Sequence, residues 1–203
     1  MTTSKDPFIN SASSNPIARF HDWFQDATSQ EDMPEAMSLA TVDPSGAPLL
    51  RMVLLKGYDE RGFVFFTNYQ SAKALNLASN PHAALCLWWR KLKRQVRITG
   101  VATKIDASES DAYFQSRPRE SRLGAWASDQ SRIIEDREAL EANYHQLQQK
   151  YQGKEIPRPP HWGGYRIKPN RIEFWREAPH RLHDRCLYQL DENGDWSTCR
   201  LQP

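Results

Sequence analysis

The side chains best suited to chemistry fall in a few short segments. Arg181, His183 and Arg185 alternate with Leu182, Asp184 and Cys186, so an extended strand would set the three cationic or titratable groups on one face. Three such groups in a row repel unless an anion or water lies between them; the segment reads either as a solvated barrel face or as a site for an anionic ligand. The run Arg51-Met52-Val53-Leu54-Leu55-Lys56 has the apolar content of a buried strand with a cation at each end, and a lysine there ordinarily snorkels to solvent. Arg94-Gln95-Val96-Arg97 poses the same choice. Tyr113, Arg117 and Ser121 are spaced to converge across a helix end and turn on one phosphate, or to form an ordinary surface terminus.

Other chemistries fit poorly. His180, His183 and Cys186 mimic metal-ligand spacing, but residues three apart on a strand face opposite ways and cannot close one coordination shell. No G-x-S-x-G elbow, C-x-x-C pair, G-x-G-x-x-G or G-K-[ST] loop occurs. Glu135, Asp136, Glu138 and Glu141 read as the solvated face of a long helix.

The elements that must position these residues are mostly short strands. Asn15-Pro16 pairs an N-cap with proline at the first helical position, and Ile17, Phe20, Trp23 and Phe24 share one face of a helix expected to end near Ala27. The residues before it read as a flexible tail spanning 1–15. From Met37 the period becomes strand-like, predicting strands at 37–42, 49–56, 63–67, 83–89 and 95–105, a turn at Asp43-Pro44-Ser45-Gly46, and a brief helix from Ser71 to Asn80. Helices follow at 111–116 and over a stripe of Ile133, Leu140, Tyr144, Leu147 and Tyr151. Strands resume at 164–167, 171–175, 181–190 and 196–201. Many short strands with tight turns and a few helices predict a mainly β fold, a closed antiparallel barrel with added helices, in a single domain over 16–203.

Composition sets outer limits. A chain of 203 residues can bury a real core, and a formal net charge of +2 gives no global pull toward nucleic acid or an anionic membrane, so an anion site must be built locally. Cys86, Cys186 and Cys199 are too few and scattered for a disulfide framework. No stretch is apolar enough to span a bilayer, and the polar N-terminus lacks signal-peptide order, so a cytoplasmic location is expected.

Several of these segments occur together in an order that resembles the pyridoxamine 5′-phosphate oxidase family. They are Arg51 to Lys56; Phe65-Phe66-Thr67-Asn68-Tyr69 with Ser71 and Lys73; Arg94 to Arg97; Tyr113-Phe114 with Ser116-Arg117-Pro118; Gly124-Ala125 with Ser128 and Gln130-Ser131; Trp162-Gly163-Gly164-Tyr165; Ile172-Glu173-Phe174-Trp175; and Arg181 to Arg185. The resemblance covers roughly Met37 to Pro203, and its specificity lies in the ordered set rather than in any one block.

That resemblance implies a split β-barrel, a homodimer, and FMN in clefts at the subunit interface. It implies an oxidase that converts pyridoxamine or pyridoxine 5′-phosphate to pyridoxal 5′-phosphate, with O2 as electron acceptor and H2O2 as product. Carried over by position, Arg51, Lys73, Gln130 and Ser131 would hold the flavin phosphate and ribityl chain. Met52, Val53, Leu54, Leu55, Lys56, Phe66, Thr67, Gln95, Trp175 and Arg185 would line the flavin. Lys56, Tyr113, Arg117 and Ser121 would bind the substrate phosphate, with Arg181, Leu182 and His183 over the pyridine ring and Arg181 and His183 as the catalytic pair. The chain departs from the family pattern at Ala72, where an arginine is usual, at Arg176-Glu177-Ala178-Pro179, and in an N-terminal arm whose only basic residue is Lys5. A related split-barrel flavoenzyme, such as a phenazine-pathway oxidase, and a non-catalytic FMN- or pyridoxal-phosphate-binding protein are the rival readings.

Overall fold

The computed structural model describes residues 15–203, so the expected tail lies, apart from Asn15, outside the described residues. Helix α1 (Pro16–Gln30) starts where the sequence places it, with the Asn15 side chain accepting from the backbone N–H of Ile17 at 2.8 Å and of Ala18 at 3.4 Å. Ile17, Phe20, Trp23 and Ala27 are its buried apolar face. The helix runs a turn past the expected end. Glu31, just beyond it, accepts from the backbone N–H of Lys91 and Leu92 and ties the helix to a distant turn.

Strands β1 (Ala36–Val42) and β2 (Pro48–Leu54) form the expected hairpin. The Asp43 carboxylate accepts from the backbone N–H of Ser45 and Ala47, and Gly46 takes the left-handed conformation at φ +89° that the turn requires. Two expectations fail here. The run from Arg51 to Lys56 is not one strand, because the N–H of Leu55 bonds Glu35 O whereas that of Lys56 bonds Val64 O. The chain changes partner at that point and continues as β3 (Gly57–Asp59) against β4 (Gly62–Asn68). Nor is the run buried: β2 lies at the end of the sheet, with Met52 62% and Leu50 70% exposed. Of the run, only Leu55 is buried in the core, with Val53 leaning on it half-buried.

After α2 (Ala72–Ser79) come β5 (His82–Trp89), β6 (Arg94–Lys104), β7 (Trp162–Arg176), β8 (Asp184–Leu190) and β9 (Trp196–Arg200). The strand order is β2-β1-β5-β6-β7-β4-β3, all antiparallel, with β8 and β9 added beyond β7. The expected closed barrel is therefore corrected to an open hydrogen-bonded path. Its two ends meet through the covalent bend at Leu55 and Lys56 rather than through a ladder between β2 and β4. The two strands expected at 164–167 and 171–175 are one long strand. Pro169, which cannot donate to a ladder, sits opposite Gly100 where the β6–β7 register shifts. A Cβ on Gly100 would lie 2.1 Å from Lys168 O, so only glycine permits this approach.

The main core packs α1 against the sheet around Phe20, Trp89, Phe63 and Phe174. A second cluster of Phe114, Leu123, Ile156 and Trp162 joins the helices α3 (Ala107–Ser116), α4 (Arg119–Ala127) and α5 (Arg137–Lys150) to β7. Helix α4 had no clear periodic signal. The stripe expected on the long helix is weaker than its spacing suggests. Ile133 precedes α5 and is fully exposed, and only Tyr144, Leu147 and Tyr151 lean on the second cluster. The acidic residues Asp136 and Glu141 are surface groups, as expected: one caps α5 and the other pairs with Arg137.

Candidate active site

A cleft of about 470 Å³ opens between β2, β4 and the helices α3 and α4. Met52, Val53 and Leu54 of β2 form one wall, and Lys56 stands at the bend that follows. Phe66 and Thr67 come from β4, Lys73 from α2, Tyr113 from α3, Ser121 from α4, with Arg117 in the break between α3 and α4 and Gln130 in the loop after α4. The structure thus brings eleven of the residues named from sequence into one cavity.

Lys73 is the most constrained of them. It is 9% exposed, and its ammonium lies 3.2 Å from Thr67 Oγ1, 3.2 Å from Ser71 Oγ and 3.1 Å from Gln130 Oε1. Every partner is neutral. Burial, helped by the charge of nearby Arg51, lowers its pKa to about 8. Arg51 is held by its own strand's surroundings, donating to Leu39 O, Thr41 Oγ1 and Leu49 O at 2.7–3.1 Å. Two adjacent cations without a carboxylate partner among the described residues fit an anion such as a monophosphate.

A second cationic station stands beside Tyr113. Its ring stacks on Phe66 at 3.9 Å, and Phe66 stacks on Trp162 at 5.3 Å. The Arg117 guanidinium lies over Trp162, 4.7 Å from the ring centroid, and its Nη1 is buried with no hydrogen-bond partner. Burial depresses the Arg117 pKa, with Tyr113 opposing that trend, and raises that of the Tyr113 hydroxyl. A buried guanidinium N–H without an acceptor is costly, and Arg117 is held at the cleft wall at that cost. Lys56 and Ser121 line the same cavity.

Other sequence-named residues gather elsewhere in the chain. Gln95, Trp175 and Arg185 stand side by side across β6, β7 and β8, in register as Gln95 with Trp175 and Trp175 with Arg185. The His183 ring lies 4.7 Å from that of Trp175, and its Nδ1 accepts from the Ala178 backbone N–H at 3.3 Å, so the neutral ring carries its proton on Nε2. The alternation that placed Arg181 and His183 on a strand face is corrected: β8 begins only at Asp184. Pro179–Arg181 forms a single 3-10 turn, closed by Leu182 N–H to Pro179 O, with His180 and Arg181 both left-handed at φ +58° and +62°. Non-glycine residues hold that conformation at a cost that surroundings must offset. None of Gln95, Trp175, Arg181, Leu182, His183 or Arg185 lines the 470 Å³ cleft of the same chain. Ser131, at φ +74° on an exposed turn, also lies off it, and Leu55 faces the core.

Sequence reasoning gave no role to Asn68, Gly124, Ala125, Ser128 and Trp162, which complete the cleft wall. All five lie in or beside the blocks that carry the resemblance, which was the available signal. Among the described residues no three His, Cys, Asp or Glu side chains are placed to share a metal ion, and no helix is long and apolar enough to cross a membrane.

The chain is similar to known proteins along nearly its whole length. The family model described as pyridoxamine 5′-phosphate oxidase matches residues 25–151, and that of the pyridoxine 5′-phosphate oxidase C-terminal dimerisation region matches residues 162–203. Curated relatives named pyridoxine/pyridoxamine 5′-phosphate oxidase are similar along nearly the whole chain. The one from Gloeothece citriformis is 56% identical over 193 residues, covering 95% of this chain and 90% of its own. The one from Paraburkholderia phytofirmans is 54% identical, covering 93% and 89%. Among solved structures, PhzG from Burkholderia lata in complex with tetrahydrophenazine-1-carboxylic acid matches with a TM-score of 0.92 at 34% identity, covering 100% of this chain and 99% of the other. A pyridoxamine 5′-phosphate oxidase-related, FMN-binding protein from Nostoc punctiforme shares the fold, with a TM-score of 0.74 at 21% identity, covering 93% and 98%.

Proposed function

Because the chain belongs to the pyridoxamine 5′-phosphate oxidase family, we propose that it is an FMN-dependent oxidase converting pyridoxamine or pyridoxine 5′-phosphate to pyridoxal 5′-phosphate, with O2 as acceptor and H2O2 as product. The observation that carries this reading is a single cleft with two cationic stations whose positive groups have no acidic partner among the described residues. A reaction between a flavin monophosphate and a phosphorylated pyridine needs two such stations.

In this reading Arg51, Lys73 and Gln130, with Ser131, hold the cofactor phosphate and ribityl chain, and Met52 to Leu54, Phe66 and Thr67 wall off the ring from water. Lys56, Tyr113, Arg117 and Ser121 take the substrate phosphate. Remote binding of this kind orients the reacting carbon. FMN, when bound, supplies the two-electron acceptor for the C–H bond at the substrate C4′.

The second group completes the site from a second copy of the chain, in keeping with the dimerisation region matched at residues 162–203. Gln95, Trp175 and Arg185 then border the flavin ring, and Arg181, Leu182 and His183 lie over the pyridine. Arg181 and the Nε2–H of His183 are donors that hold and polarise the substrate's ring substituents while negative charge moves away from C4′. The exposed apolar side chains of Leu50, Met52 and Trp88 are the surface such a dimer would cover.

Anaerobic mixing of FMN-loaded protein with pyridoxine 5′-phosphate tests this: the yellow absorbance should bleach and return on admitting air, with peroxide and aldehyde formed. A flavin that neither phosphorylated substrate bleaches overturns it. The likeness to PhzG carries a second reading, oxidation of a reduced tricyclic carboxylic acid. Bleaching by such an acid alone would establish that reading instead, although Lys56, Tyr113, Arg117 and Ser121 lining one cleft favour a phosphate.

A further inference from the structure

Glu173 is the least exposed carboxylate among the described residues, at 2%, yet it belongs to no site described above. It sits on β7 two residues before Trp175, on the same face, and one step along the ladder from the row formed by Gln95, Trp175 and Arg185. Its two oxygens are divided between two arginines of the flanking strands. Arg185 Nε donates to Oε1 at 2.8 Å, and Arg97 Nη2 donates to Oε2. Burial by itself would push the Glu173 carboxyl up, but hydrogen bonds and charge from Arg185 and Arg97 hold it below the usual carboxylate value.

Arg185 is fixed a second time. Its Nη1 donates to the carbonyl of Gln202 at 2.8 Å, and its own carbonyl accepts from Leu201 N–H at 3.1 Å, so the C-terminal residues close over it. With Nε and Nη1 engaged, Nη2 is the one nitrogen of this guanidinium without a partner among the described residues. A free arginine side chain samples many rotamers; one anchored at two nitrogens presents the third in one direction.

We propose that Glu173 is a positioning residue, which holds Arg185 so that Nη2 faces the flavin. The proposal rests on the reading above that Arg185 borders that ring. Arg97 in this scheme balances the second oxygen and is not itself needed at the flavin: it is half exposed, whereas Glu173 is enclosed.

The experiment titrates full-length apo-protein with FMN by fluorescence quenching, with the visible spectrum of the bound flavin recorded alongside and the melting temperature of each apo form. Glu173→Gln should weaken FMN binding at least tenfold and shift the flavin bands, because its amide nitrogen must face one of the two guanidinium groups. Arg185→Gln should weaken it by a similar factor. The double variant should bind no worse than Arg185→Gln alone, and Arg97→Gln should stay within about twofold of wild type despite breaking the same buried cluster. If Glu173→Gln does not fold, Glu173→Asp takes its place, keeping charge but losing reach. Additive losses in the double variant, or a loss on Arg97→Gln equal to that on Glu173→Gln, would mean that Glu173 only supports the fold and would overturn the proposal. Unchanged affinity and spectrum in Arg185→Gln, beside a wild type that binds FMN normally, would instead remove Arg185 from the flavin and take the proposal with it.

Discussion

Lys73 offers the sharpest test of the proposed phosphate station. In the unliganded protein its pKa is about 8, lowered from 10.5 first by burial and then by Arg51. A phosphate dianion beside the ammonium reverses that balance and returns the pKa toward its ordinary range. Binding is therefore coupled to proton uptake, and affinity must fall as pH rises through about 8. With a free-state pKa of about 8, roughly nine-tenths of the lysines are charged at pH 7 and about 3% at pH 9.5, so FMN should bind about thirtyfold more weakly at the higher pH. The apo-protein should respond in the opposite sense. Its folded-state pKa lies below the unfolded one, so between about pH 8 and 10.5 the unfolded chain binds more protons and folding stability rises with pH. Titrating apo-protein with FMN and with riboflavin from pH 7 to 9.5 isolates the phosphate contribution, because riboflavin shares the ring and ribityl chain without it. Lys73→Arg is the matching perturbation: arginine stays charged throughout, so the pH dependence of the FMN-to-riboflavin ratio should flatten. A wild-type ratio that does not change between pH 7 and 9.5, or one that changes equally in Lys73→Arg, would refute the placement of Lys73 at the phosphate.

Three further outcomes follow from the same geometry. Arg181→Ala should lower turnover on both phosphorylated substrates by about a hundred- to a thousandfold, the range for one lost electrostatic donor, while bound flavin per protomer stays near normal; unchanged steady-state kinetics would remove Arg181 from the site. Ala72 is exposed and directly precedes Lys73, so Ala72→Arg should tighten FMN binding about ten- to a hundredfold, a charge-assisted bond being worth roughly 1.5–3 kcal/mol; equal affinities in a quenching titration would show that Arg51 already supplies that charge. Phe20 is fully buried against Tyr58, Phe63 and Trp89, so Phe20→Ala should cost about 3–5 kcal/mol and lower the melting temperature by about 10 °C; a calorimetric shift under 3 °C would mean that α1 contributes little to the core.

Much of this protein was legible along the chain because the features concerned are local. The Asn15 cap, the Asp43–Gly46 turn and α2 each depend on residues within one or two turns of themselves, so spacing alone places them. Lys56, Thr67, Lys73, Tyr113, Arg117 and Gln130 were named from ordered blocks and Ser121 from its spacing to Tyr113 and Arg117, and all seven line the cleft. Spacing misled where a residue's surroundings come from afar. The run from Arg51 to Lys56 has the composition of a buried strand, but β2 ends the sheet and the chain changes partner between Leu55 and Lys56, which only the positions of Glu35 and Val64 decide. Arg181 and His183 alternate like strand residues, yet the Pro179 turn sets them off the ladder, and pairing with β7 begins only at Asp184. The same limit hid Glu173, whose role rests on two arginines 76 and 12 residues away in sequence. Periodicity reports what a segment would do alone; which strand it meets, and which charges it faces there, is settled by long-range pairing that no local pattern encodes.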